Sequence, residues 1–584
     1  MRAVIAWCAP LPGEGQVDRL LRLLTALVVL LFPAACLLVN RSDSLSLLLL
    51  GLIGLCVWIR NGFRSGFGRG DWLFVAAFAG FFFVVVLAFG FGHQTDEGFR
   101  LLGRYLRLLF VLPALLALRR YRPPAAAVWT GLGLGAMALG LDAVWESLSA
   151  RGFLRPYGDT NVSILFGDLA TLTTFAFAAG YVYIDGRLPR LGPFLVAGCV
   201  FLGLLAGFLS GTRGAWVAMP VLLVLFLSCR HLLHPRTVLL SAIAVMAMFT
   251  LLVYLPQTHV LQRLKTAVMQ IDVYWAINRD ADRPNAASQC VDGIDALRTW
   301  IEAGSGQYPP GFSIAVMQLH GADAAALTGY GCRQGAVIFM ENRDKAPAWV
   351  VLPRYERRDQ QLAVTHLLVK GTAAAGYAGL QVGQGGFDEE HFTPLAITAP
   401  VKYGSGIKVM ALPGEAVWFV PMEAYFGEYR YAIQANPIGE RLEMWRAALR
   451  LFSDTPLFGV GTGAYQTETQ ELVAAGRASP DIAEFDHPHS EYFDALANRG
   501  VLGLLALFSL LGVPAWLYAR RLESRDPHQM GAALGGLLVT VGFAIFGLTE
   551  TMFIHSVTIG WYVIMTAIFL VSTDAPLGQD TGTR

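Results

Sequence analysis

The sequence predicts a membrane α-helical protein of about twelve spans, interrupted once by a large polar block. Three observations predict it. Hydrophobic residues make up 55% of the 584 and charged residues 15%, a balance few water-soluble proteins show. Apolar stretches of the length a bilayer requires, about 20 residues, recur along the chain. Arginines collect in alternate connections between those stretches.

The candidate spans are 20–39, 44–59, 72–92, 104–118, 125–148, 161–185, 192–209, 214–229 and 237–256, then 500–519, 530–549 and 553–572. The second and fourth are short. The first 18 residues carry no clear cleavage site, so the first span is expected to act as an uncleaved signal. With the N-terminus in the cytoplasm, the loops near 60–71, 119–124, 186–191, 230–236 and 520–528 are cytoplasmic. They hold Arg60, Arg64, Arg69, Arg119, Arg120, Arg122, Arg187, Arg190, Arg230, Arg236, Arg520, Arg521 and Arg525. The short loops of the other face hold only Arg41, Arg100, Arg104, Arg151, Arg155 and Arg213. This split places the polar block, 257–499, on the outer side.

The expected organisation is therefore 1–256 for spans one to nine, 257–289 as an outer helical segment, 290–435 as an inserted domain, 436–499 as a second outer segment, 500–573 for the last three spans and 574–584 as a tail. The insert is rich in Gly and Pro, with strand-like runs at 336–340, 349–352, 362–369 and 416–420, and predicts an α+β or mostly β domain. Residues 260–277 before it and 439–452 after it have helical periodicity; Leu442, Trp445, Leu449 and Phe452 share a face of the second.

Net charge is +1, so nothing favours nucleic acid as a partner. Cys8, Cys36, Cys56, Cys199 and Cys229 lie in or beside spans and suit small core positions. Cys290 and Cys332 lie in the polar block, either paired or as two free thiols.

Chemistry concentrates at a few points of the outer face. Arg213 stands in a Ser-Gly-Thr-Arg-Gly-Ala-Trp turn at 210–216. Glycine lets a backbone approach a ligand closely, and a helix start favours an anion. The alternative is an arginine reaching lipid headgroups. Arg441 opens the helix after the insert, where an exposed arginine is also ordinary. Together the two suit a diphosphate, which guanidinium forks bind bidentately. The turn Pro-Leu-Phe-Gly-Val-Gly-Thr-Gly-Ala-Tyr at 456–465 places Gly461 and Gly463 where open backbone amides could cradle phosphate. It lacks the Gly-Lys-Ser/Thr of a Walker loop.

The run Asp-His-Pro-His-Ser-Glu-Tyr-Phe at 486–493 holds the remaining candidates. His487 and His489 suggest a metal pair, but no third ligand is evident. They can equally be loop residues, or His489 can be a general base near pH 7. Glu491 and Asp494 are the carboxylates near enough in sequence to orient that imidazole. His487 then takes a supporting role.

These motifs, in this order, resemble the O-antigen ligase family of bacterial membrane glycosyltransferases: 210–216, Gly-Glu-Arg-Leu-Glu-Met-Trp at 439–445, 456–465, 487–493, Asn-Arg-Gly-Val-Leu-Gly-Leu-Leu at 498–505 and Gly-Leu-Thr-Glu-Thr-Met-Phe-Ile-His at 547–555. Ser490 replaces the Asn usual after the histidine. The resemblance spans nearly the whole chain except about 280–435. It implies a GT-C-like membrane fold with a large periplasmic loop between spans nine and ten. It also implies transfer of a glycan from undecaprenyl pyrophosphate to lipid A core sugars at the outer face of the inner membrane, without cofactor or metal. Polymerisation of repeat units or protein O-glycosylation are the related alternatives. Arg213 and Arg441 would bind pyrophosphate and His489 would be the base. Arg100, Arg104 and Arg107 would add phosphate contacts or bind headgroups. A polysaccharide lipid transporter is the rival of another class; it should place ionisable or broken helices at mid-membrane and often has two related halves, whereas this chain has few ionisable residues within its spans and its large polar block splits nine spans from three.

Overall fold

A computed structural model describes residues 14–149, 156–160, 162–228, 437–475, 477–478 and 482–574, with seven strands between 312 and 411. The chain divides into two compact units. The first comprises Met1–Val260, Ala448–Glu468 and Asp486–Arg584, the second Leu261–Ala447 and Thr469–Phe485.

The first unit is a helical bundle: α1 (Gln16–Leu38), α2 (Ser42–Arg60), α3 (Arg69–Phe91), α4 (Asp96–Tyr105), α5 (Val111–Arg120), α6 (Ala125–Ser149), α7 (Ser163–Ala178), α8 (Tyr181–Arg187), α9 (Gly192–Leu209) and α10 (Arg213–Ser228). After α11 (Pro437–Asp454) and α12 (Tyr465–Ala474), both of which cross the boundary between units, it resumes with α13 (Glu491–Ala519), α14 (Pro527–Phe546) and α15 (Ser556–Ser572). Among the described residues, eight helical segments are long and apolar enough to cross a membrane, or nine if α7 and α8 form one bent span. The protein is a multi-pass membrane protein. Leucines and phenylalanines that would be a liability in water, such as Leu27, Leu31, Phe83 and Phe508, stand exposed on the bundle.

The structure adjusts several expected spans. The fourth starts at Asp96, not 104, and continues through a 3₁₀ stretch at Leu106–Phe110 into α5. The sixth is not one straight helix: α7 and α8 meet at 49° around Ala179 and Gly180. Two expected spans, α10 and α15, are shorter apolar helices. The last begins at Ser556 because Met552–Ile554 forms a 3₁₀ turn. The expected ninth span at 237–256, the helix at 260–277, Cys290 and Cys332 lie outside the described residues.

Apolar burial drives little helix association in lipid, so close packing carries it. Gly54 of α2 lies against the Pro113 carbonyl of α5, where a Cβ would come within 1.8 Å. An aromatic cluster of Phe78, Phe81, Tyr105, Phe543, Phe553 and Tyr562 fills the centre between α3, α4, α14 and α15. α13 is broken at Gly500, whose φ of 64° and ψ of −159° leave helical geometry. The amide of Val501 freed there donates to Pro456 O at 2.8 Å. The break coincides with the point where the apolar span is expected to open.

Within the second unit, β1 (Phe312–Gln318), β2 (Ala336–Asn342), β3 (Trp349–Arg358), β4 (Gln361–Gly371) and β5 (Tyr377–Gln381) pair antiparallel in sequence order. Strands β6 (Thr393–Pro394) and β7 (Met410–Ala411) pair separately. Three of the four expected runs fall on β2, β3 and β4; the run at 416–420 lies outside the described residues.

Candidate active site

Two loops of the first unit, 486–490 and 547–555, meet at one end of the bundle. The Gly547 carbonyl, at the C-terminal end of α14, accepts the Glu491 amide at 2.8 Å and the Ser490 hydroxyl at 3.1 Å. The start of α13 is thus tied to the end of α14. A hydroxyl suffices for this tie, which accounts for Ser490. The chain reaches that tie through His489 in the left-handed region, at φ 48°. Such a conformation costs about 1–3 kcal/mol in a non-glycine residue and recurs at functional sites.

Glu550, buried at 3% exposure, reaches back across the two loops. Its carboxylate lies 3.1 and 3.3 Å from Nδ1 of His489 and 3.3 Å from Nε2 of His487. Nδ1 of His487 lies 2.5 Å from Asp486. The two rings are 4.3 Å apart between centroids. Burial opposes charge on His487, but the hydrogen bonds to Asp486 and Glu550 outweigh it and hold the ring's pKa up at about 10. Burial likewise opposes charge on Glu550, yet the two histidines hold its carboxyl well below the ordinary value. His555, 6.3 Å from His487, is driven the other way by burial, down to about 4. A neutral His489 that donates Nδ1–H to Glu550 carries its lone pair on Nε2.

Glu550 and His555 are the site residues that sequence reasoning missed. The segment 547–555 carries a recognisable motif, but nothing in it signals which carboxylate meets a histidine 61 residues earlier. The expected orienting carboxylates do other work. Glu491 accepts the Phe553 amide at 2.8 Å, pinning the second loop from below. Asp494 pairs with the buried Arg499 at 2.6 Å and accepts from Asn498 at 2.7 Å. Arg499 also donates to the Tyr105 hydroxyl at 3.1 Å.

The 456–465 turn, offered as a phosphate cradle, is tied to its neighbours by its own backbone. Amides of Val460 and Gly461 donate to the carbonyls of Ala497 and Asn498. Gly461 and Gly463 have φ of 120° and 78°, and a Cβ on either would come within 2.8 Å of His93 or 2.6 Å of Gly98. These glycines let the turn seat against the 92–98 connection, and a ligand is not needed to explain them.

Arg104 on α4 donates to the Ile554 carbonyl at 3.2 Å, beside His555, and Arg107 donates to the Ser556 hydroxyl at 2.6 Å. Arg100 is an exposed partner of Glu97. Arg213 opens α10 after Gly211, which takes φ 64°. Its neighbour Gly214 packs so that a Cβ would stand 3.1 Å from Thr549 Oγ1 and 3.2 Å from Asp168. The helix start thus lies next to the residue preceding Glu550. Arg441 lies on α11 in the part of that helix belonging to the second unit.

Nitrogen and oxygen atoms of His487, His489 and Glu550 lie within 4.8 Å of one another, a spacing a transition metal can use. The two carboxylates on His487 call instead for a ring protonated at both nitrogens, which has no lone pair for a metal.

A family model described as O-antigen ligase matches residues 425–508, the segment holding α11, the 456–465 turn and His489. An uncharacterized protein of Haemophilus influenzae is 23% identical over 119 residues, 20% of this chain. That match spans 30% of the relative's own length.

Proposed function

Taking the chain as a member of the O-antigen ligase family, an assignment the match over 425–508 supports, we propose that it transfers a glycan from undecaprenyl pyrophosphate to a sugar hydroxyl of an acceptor such as lipid A core. The observation that carries this reading is the Glu550 carboxylate on Nδ1 of a strained His489. Nε2 of His489 takes the proton of the acceptor hydroxyl while its oxygen bonds to the anomeric carbon. The bond from that carbon to pyrophosphate breaks, and the electron pair leaves on the phosphate oxygen. One displacement inverts the anomeric centre. Pyrophosphate is a good leaving group, so its growing charge needs cations more than a proton. Arg213 and Arg441, with Arg104, are assigned that task. The displacement asks for no metal, and chelator-treated protein is expected to keep its activity.

The bundle end opposite the histidines supports a periplasmic site in the inner membrane. There Arg60 pairs with Asp18, and Arg119 and Arg521 pair with Asp574, in the arginine-rich loops expected in the cytoplasm. Polymerisation and protein O-glycosylation use the same chemistry with another acceptor.

The test is transfer by the full chain in lipid nanodiscs, given an undecaprenyl-pyrophosphate-linked glycan and lipid A core. His489→Ala is expected to bind donor and to lose about 10²- to 10⁴-fold in transfer rate. Transfer at the wild-type rate would overturn the assignment. Arg213→Ala and Arg441→Ala are expected to raise KM for the donor, and wild-type kinetics in both would remove the clamp.

A further inference from the structure

The base described above has a carboxylate partner in Glu550, and that carboxylate is shared. Glu550 Oε1 is within hydrogen-bonding distance of His489 Nδ1 and of His487 Nε2. The other nitrogen of His487 faces Asp486. A carboxylate accepts and does not donate when ionised, and a neutral imidazole has a single N–H. Two carboxylate partners on one ring therefore require an imidazolium. This cation is buried, its side chain 11% exposed, and its ring lies against that of His489.

We propose that His487 is a positioning residue: a fixed cation that holds Glu550 ionised and in place on Nδ1 of His489, and whose charge opposes a second proton on the His489 ring. The proposal rests on the assignment of His489 as base. Asp486, Glu550 and His487 together carry one net negative charge. Removing His487 leaves two, which would draw a proton onto His489 and occupy the lone pair that must receive the acceptor's. Among the described residues, other groups facing this cluster are His555, kept neutral by burial, the buried carboxyl of Glu491, held on the Phe553 amide, and Arg104, turned to the Ile554 carbonyl. None of them stands as a cation between the two carboxylates. During the displacement the proton from the acceptor stays on Nε2 of His489, and His487 neither gains nor loses one.

The test is titration of ¹³C-labelled histidines by NMR in the full chain in lipid nanodiscs, with His489→Ala assigning the resonance. His487→Gln is expected to move the His489 midpoint up by about one to three pH units, the span of a charge within 4–6 Å. Asp486→Asn removes an exposed negative charge at the far side of the ring and is expected to move it down. Loss of packing alone would not give shifts of opposite sign. A midpoint that stays put in His487→Gln, or fails to fall in Asp486→Asn, would overturn the proposal. Should His487→Gln fail to fold, the wild-type titration still decides: a His487 ring that is neutral at pH 7 would overturn the proposal. The titration reads the coupling whether or not His489 is the base. Transfer surviving in His489→Ala would therefore reject the base and not the coupling, and a motionless midpoint the reverse.

Discussion

Two histidines near opposite ends of α14 have opposite chemistry. His528 is its second residue, and His487 meets Glu550, four residues past its last; a helix of 20 residues is about 30 Å long. Nδ1 of His528 accepts the indole N–H of the buried Trp129 at 3.0 Å. A donor on that nitrogen requires a lone pair there. His528 also lies 5.7 Å from the Tyr183 ring, over which Arg187 stacks. It is a neutral packing piece. His487 faces two acceptors and is a cation. The residue type does not set the charge; the donors and acceptors brought by other segments do.

The strongest way to break this comparison is at the shared carboxylate. Glu550→Gln keeps the shape but loses the charge that orients His489, so transfer should fall by about 10²-fold or more. A rate near wild type would mean His489 needs no orienting anion. Next comes the support under the site. Arg499→Leu leaves the carboxylates of Asp494 and Glu491 buried without their cation, and should cost roughly 3–5 kcal/mol, measured as a lower melting temperature.

The charge on His487 gives a pH dependence. Its folded pKa, about 10, is above the ordinary 6.5. The stabilisation is therefore complete below the unfolded value, declines as pH rises above it and is lost through the folded value. The melting temperature of wild type relative to His487→Gln should fall between roughly pH 6.5 and 10. A constant difference across that window would argue against a buried imidazolium. The smallest effect is expected at the other end. His528→Phe should cost about 0.5–1.5 kcal/mol for the lost hydrogen bond and leave transfer unchanged. If it slowed transfer as Glu550→Gln does, the two ends would not differ in kind.

Much of this is legible in sequence where the signal is local. Span composition locates the described bundle helices to within a turn or two, except for the fourth, which begins at Asp96 and not at 104, and where Gly180, Gly500 and the 552–554 turn break the regular period. His489 and Arg213 stand out because a histidine or arginine beside glycine, proline and a helix start is unusual in so apolar a chain. The orienting carboxylate is misjudged from sequence because Glu491 and Asp494 are near in the chain. Once folded, both turn beneath the loop, toward Phe553 and Arg499, and Glu550 alone among these three approaches the imidazole from above. The glycines of the 456–465 turn look like a ligand cradle because open space and close backbone packing demand the same residue.

What the sequence by itself determined is that the chain crosses a membrane many times; arginine placement adds an expectation of which face its polar chemistry occupies. Hydropathy and arginine placement are properties of each segment against lipid and water. Only the tertiary structure decided that Asp486, His487, Glu550 and His489 form one hydrogen-bonded series. That pairing depends on Gly547 joining the start of α13 to the end of α14, a tie between segments 57 residues apart that no local pattern encodes.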